Sequence, residues 1–143
     1  MHIAYSFFVS IFLLFNFGNT ETEEKINLKV TFTNIEDAED GKLLIALYDS
    51  ESTFLDEEKT HREAILEPTS EEISTTFDNL APGRYAIAVI NDQNENEKMD
   101  LNMLNMPTEQ YGFSNNPFLM GKPKWKDCSF ELSEDSAITV EME

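Results

Sequence analysis

The fold is decided by residues 80–100: Leu80-Ala81-Pro82-Gly83-Arg84-Tyr85-Ala86-Ile87-Ala88-Val89-Ile90-Asn91-Asp92-Gln93-Asn94-Glu95-Asn96-Glu97-Lys98-Met99-Asp100. Pro82 presets the backbone for a tight turn, Gly83 can take a positive φ, and Tyr85 to Ile90 has the β-branched and aromatic content of a buried strand. A tyrosine placed just after a Pro-Gly turn matches the tyrosine corner of Greek-key sandwiches, so the Tyr85 hydroxyl is expected to tie the turn to the strand. Oxygen side chains then recur at alternate positions, Asp92, Asn94 and Asn96, with Asp100 further on. That is the opening rhythm of a calcium loop.

Upstream of this stretch, Ile26 to Thr33 alternates apolar and polar residues without exception, which predicts a strand with one wet face. Asp40-Gly41 signals a turn into Lys42 to Tyr48, a run apolar on both faces and so expected to be covered on each side. The stretch from Asp49 to Lys59, acidic with one apolar pair, Phe54 and Leu55, reads as a loop or short helical turn over the sheet edge. Arg62 to Leu66 is a weaker strand closed by Pro68, and Ile73, Thr75 and Phe77 alternate along another. Downstream, periodicity disappears between Asp100 and Lys124, yet Tyr111, Phe113 and Phe118 give this segment too many aromatics for disorder. Final strands are expected at Trp125 to Leu132 and Ala137 to Met142. About seven short strands with few helical stripes predict an all-β domain, a single antiparallel Greek-key sandwich with one long ordered loop segment.

The chain has 143 residues, and residues 1–20 read as a signal peptide rather than as fold. Ile3 to Phe17 has the length and apolarity of a secretory h-region, followed by the small or polar Gly18, Asn19 and Thr20; its amino-terminal flank lacks Lys and Arg. The mature domain is then residues 25–143, a size that buries roughly two-thirds of its unfolded surface in one core. With 10 basic and 28 acidic residues the net charge is -18, all of it outside the signal segment. Such a surface repels nucleic acid and anionic lipid, so neither nucleic-acid binding nor membrane insertion after cleavage is expected. The single cysteine, Cys128, excludes an internal disulfide and reads as a buried thiol. The compartment expected is secreted or periplasmic.

An ion at the loop would be held by the side chains of Asp92, Asn94, Asn96 and Asp100 and by the Lys98 carbonyl, with Glu109, or else Glu95 or Glu97, completing the set. Glu97 stands where such a loop has glycine, and Met103 where it has a bidentate Glu. Ca2+ bound weakly is one reading; a polar turn held by its own Asn and Asp contacts is the other. Tyr111, Phe113, Phe118 and Trp125 form either a ligand platform for a sugar or peptide, or a plug of packed aromatics at one end of the sandwich.

These residues carry a resemblance. Pro82-Gly83-x-Tyr85-Ala86, the Asp92-x-Asn94-x-Asn96-x-Lys98-x-Asp100 rhythm, Pro107-Thr108-Glu109-x-Tyr111-Gly112-Phe113-Ser114-Asn115-Asn116 and Gly121-x-Pro123 resemble the uncharacterised bacterial family DUF2141 over most of the mature chain. The resemblance implies an exported β-sandwich, prealbumin-like or carboxypeptidase-regulatory-like, and no established activity. The chain departs from that family at Asn91, where a His is usual, at Glu95 and Glu97, where glycines are usual, and at Cys128, where a small residue is usual.

The function expected is therefore a non-enzymatic exported module that binds a protein or glycan partner or serves a structural role. A small-molecule carrier of transthyretin-like fold is the alternative. A hydrolase built on Asp92, Glu109 or His61 is disfavoured, because no nucleophile has a base partner at motif spacing and neither a phosphate loop nor a His-x-x-x-His pair is present.

Overall fold

The computed structural model describes residues 24–38 and 40–143, so the expected signal segment lies outside the described residues. Period-two alternation puts Ile26, Leu28, Val30 and Phe32 of β1 (Ile26–Thr33) on one buried face, and their polar neighbours on the other. The chain continues through β2 (Lys42–Tyr48), β3 (Arg62–Leu66), β4 (Ile73–Leu80), β5 (Gly83–Asp92), β6 (Tyr111–Phe113), the helical turn α1 (Trp125–Cys128), β7 (Phe130–Leu132) and β8 (Ser136–Glu141). These make an all-β protein of two sheets. One has the order β4-β1-β8, the other β3-β2-β5-β6 with β7 also paired to β5.

Facing residues of both sheets enter one core cluster, including Leu28 and Phe32 from β1, Leu43 and Leu47 from β2, and Ile87 and Val89 from β5. Each such side chain contributes about 1.5–3 kcal/mol when fully buried. The chain crosses between sheets from β1 to β2 and again from β4 to β5, so β1 pairs β4 in one sheet while β2 pairs β5 in the other. That interlock fixes the two layers face to face.

Four features differ from the sequence reading. β1 and β8 run parallel, from Leu28 opposite Ser136 to Thr33 opposite Glu141, so the smaller sheet is mixed rather than purely antiparallel. A long return over the far sheet brings the last strand alongside the first, and strand alternation is blind to direction. The strand expected at Trp125 to Leu132 is split: the Lys124 carbonyl accepts the Cys128 N–H at 3.2 Å, closing a turn, and only Phe130–Leu132 is extended. Trp125 and Cys128 stand three apart, a spacing that aligns them on one side of a helical turn. The aperiodic stretch contains a strand of three residues, β6, too short to display alternation. The outer face of β2, finally, is only half-buried at Leu44 and Ala46.

The edge at β6 and β8 is sealed. Tyr111 and Glu143 exchange backbone bonds of 3.2 and 2.7 Å, and the Asn116 side chain donates to the Thr139 carbonyl and accepts from the Glu141 N–H. Gly112 permits this approach, because a Cβ there would lie 2.8 Å from the Glu141 carbonyl oxygen and 2.9 Å from Val140. Among the described residues no helix is long and apolar enough to cross a membrane.

Candidate functional site

Two features stand out at and beside the end of β5. The first is the oxygen-rich loop. Asp92 is buried, and its two carboxylate oxygens accept the backbone N–H of Asn96 at 3.2 Å and of Glu97 at 2.8 Å. Glu109 reaches across the loop mouth and accepts from the N–H of Gln93 at 3.2 Å and of Asp100 at 3.1 Å. The amides of Asn94 and Asn96 both donate to the Asp100 carboxylate. Their own oxygens accept backbone N–H groups two residues on, at Asn96 and Lys98, which is the Asx-turn geometry.

Glu95 and Glu97 take φ of 57° and 60°, so the chain makes its sharp turns without glycine. Thus Asp92, Asn94, Asn96, Asp100 and Glu109 are brought together as expected, while Lys98 enters through its N–H rather than as a carbonyl ligand. In this arrangement the oxygens point at N–H groups, and a cation would have to displace those bonds. Among the described residues no group of three or more His, Cys, Asp or Glu side chains is arranged to hold a metal.

The Asp92 and Glu109 carboxylates are backbone braces. His61 is at the other end of the sheet, its Nδ1 2.9 Å from Asp49 and its ring 5.7 Å from that of Tyr85, near the start of β5. The strand from Tyr85 to Asp92, at roughly 3.3 Å per residue, separates the two by roughly 20 Å.

The second feature is the outer face of the larger sheet. Strand register sets out its rows, since directly opposed residues share a face. Ile65, Leu44, Ile90 and Tyr111 form one row, and Glu63, Ala46, Ala88 and Phe113 the next. In a third row Tyr48 and Ala86 are buried, with Phe54 set edge-on to Tyr48 at 5.5 Å and to Trp125 at 5.7 Å. Burial, then the charges of Glu57, Glu63 and Asp56, push the Tyr48 phenol up to about 12. The smaller sheet has an ordinary wet outer face: Asn27, Lys29 and Thr31 on β1, Ser74 and Thr76 on β4, Thr139 on β8.

The larger sheet therefore offers a low floor at Ala46 and Ala88. An aromatic bank, Tyr111 and Phe113 with ring centroids 5.8 Å apart, borders it on β6, and the Phe54–Trp125 pair closes one end. Where the floor meets the loop there is a pocket of about 180 Å3, lined by Lys42, Leu44, Ile65, Glu67, Asp92, Glu95 and Glu97. Lys42 is bonded to Glu95 at 2.9 Å, and that contact raises its ammonium above the ordinary lysine range.

Of the expected platform, Tyr111, Phe113 and Trp125 border this face, whereas Phe118 is 91% exposed and belongs to none of its rows. The sequence reading expects Leu44 and Ala46 to lie covered and gives Ala88 and Ile90 no part in a site. Their signal was present: two neighbouring strands apolar on both faces, with alanines where a covered face carries bulk.

A further apolar feature is the turn of residues 100–108. It is braced by the Asn102 side chain, which accepts the N–H of Leu104 at 2.8 Å and of Met106 at 3.1 Å, and by a bridge between Leu101 and Pro107. Met103 and Leu104 point fully or mostly into solvent.

Comparison with curated proteins and with solved structures gives no match for this chain. A family model does match, over residues 30–140, and its description is an uncharacterized protein conserved in bacteria. Those residues span both sheets, the loop and the outer face together, and the chain belongs to the DUF2141 family.

Proposed function

We propose that the protein is a non-enzymatic, exported binding module that receives a protein or glycan partner on the outer face of its larger sheet. One observation carries the reading: the row Ile65, Leu44, Ile90 and Tyr111 is apolar from strand to strand, and Ala46, Ala88 and Phe113 continue it in the next row, which turns charged only at Glu63 on the edge strand. Both rows lie open beside aromatic banks, while the corresponding face of the smaller sheet is mainly polar. Leaving such a surface wet is unfavourable by about 25 cal/mol per Å2, and open apolar surface of this kind marks binding sites. The loop supports a role in positioning rather than turnover, since both oxygens of Asp92 and of Glu109 are held by backbone N–H groups. Export rests on the apolar run from Ile3 to Phe17 and on the small residues that follow.

The test is a binding screen with glycan and peptide libraries against the wild type and Ala88→Arg, which plants a charged side chain on the floor. Binding lost in the variant, with an unchanged melting midpoint, supports the reading. Binding that ignores the substitution removes it.

A second reading keeps Ca2+ at the loop. Its support is that Asp92, Asn94, Asn96 and Asp100 already gather in one curl; against it stand the N–H contacts an ion would have to replace. A melting midpoint that rises in millimolar calcium and not in magnesium supports this reading, and a midpoint indifferent to calcium and chelator ends it.

A further inference from the structure

Resting on the outer face as the binding surface, we infer that its occupant is an extended basic peptide, with a Lys or Arg side chain in the Leu44–Ile65 pocket and apolar side chains on the Ala46–Ala88 floor. Three observations select this class. The pocket sets one ammonium, Lys42, against four carboxylates, Glu67, Asp92, Glu95 and Glu97, so it carries an excess of negative charge. Its remaining walls, Leu44 and Ile65, are aliphatic, and Ile65 is 60% exposed. A long cationic side chain has that composition in reverse, an aliphatic stem with a charged head. A pocket of about 180 Å3 is also of the size such a side chain fills.

The geometry of the rows fits a strand-like ligand. In an extended chain alternate side chains point the same way, roughly 7 Å apart, which matches the spacing between successive rows of the sheet. A basic residue seated by Leu44 then sets the residue two positions on over Ala46 and Ala88, beside Phe113. The next alternate side chain meets the Phe54–Trp125 pair. A glycan is less well served, since the floor between Leu44 and Ala88 offers apolar side chains where a sugar needs hydrogen-bond partners for each hydroxyl. The net charge of -18 attracts basic segments from a distance and repels acidic ones.

The experiment uses the mature chain and a labelled, amidated six-residue peptide with Lys, Leu and Phe at alternate positions and Ser between them, read by fluorescence anisotropy. Saturable binding is expected, weakened at least tenfold when Glu replaces the peptide's Lys, and weakened again by raised salt. Ile65→Arg, at an exposed position that leaves the core untouched, and the paired change Glu67→Lys with Glu97→Lys are each expected to weaken it at least tenfold. No binding of the Lys peptide at millimolar concentration overturns the inference, as does equal binding of the Glu peptide. Cellohexaose or chitohexaose bound in its place and blocked by Ala88→Arg would leave the face standing and remove only the peptide. Peptide binding that ignores both Ile65→Arg and Ala88→Arg would place the site elsewhere and remove both.

Discussion

Tyr85 shows how much of the fold a single side chain can fix. Its ring is buried against the core, and its hydroxyl donates to the Ala81 carbonyl at 2.8 Å, so the turn entering β5 is tied to the strand it precedes. Tyr85→Phe keeps the ring and removes the donor, leaving that carbonyl with one partner fewer. The expected cost is about 1 kcal/mol, seen as a lower urea midpoint with an unchanged slope. This contact was legible in the sequence, because a Pro-Gly turn followed by Tyr has few other uses. The partners of Asn91 were not legible. Its side-chain amide donates to the Glu36 carbonyl at 3.0 Å, and its own carbonyl oxygen is buried without a partner among the described residues, beside Gly41, where a Cβ would sit 2.7 Å away. Residues 36 and 91 are far apart in sequence, and nothing local in either stretch announces the other.

At the scale of elements, period and punctuation gave β1 and β2 their observed limits, and β5 extends only a little beyond its expected run. They failed where an element was too short to repeat, at β6, or where a turn interrupted it, at α1. Gly112 is the pivot of β6, since it is the only residue type that lets this strand lie against β8. Gly112→Ala is expected to lower the melting midpoint by several degrees and to loosen the exchange protection of the Tyr111 and Glu143 amides; an unaltered midpoint would mean the edge has slack the geometry does not show. The braced turn of residues 100–108 predicts the opposite response. Met103→Ser with Leu104→Ser removes side chains that touch almost nothing, so thermal stability should hold within about 0.5 kcal/mol, and a large loss would reveal an unrecognised packing partner.

For the whole molecule, two buried acids set an alkaline limit. Burial, then the Asp127 charge, push the Cys128 thiol from 9.0 up to about 11, and Tyr48 rises from 10.0 to about 12. Both are groups whose charged form the fold disfavours. Unfolding lets them ionise at their ordinary values, so the stability tied to them is complete below pH 9 and is lost between pH 9 and 12. Thermal midpoints should be flat from pH 7 to 8.5 and fall above pH 9, and iodoacetamide should reach Cys128 only as that fall begins; brisk alkylation of the folded protein at pH 8 would contradict the burial. The two-layer architecture was legible because alternation reports which face of a strand is wet. The open outer face was only half-legible, because an apolar strand does not disclose whether chain or partner lies above it.

The parallel pairing of β1 with β8 has a consequence for the order of events as the polypeptide is made. The strand at the centre of the smaller sheet waits for a neighbour that emerges about a hundred residues later, so the three-stranded sheet is complete only once β8 has been made. Contacts so distant in sequence slow folding, to roughly milliseconds or longer. Until β8 arrives, one edge of β1 stands unpaired, with β4 alone beside it.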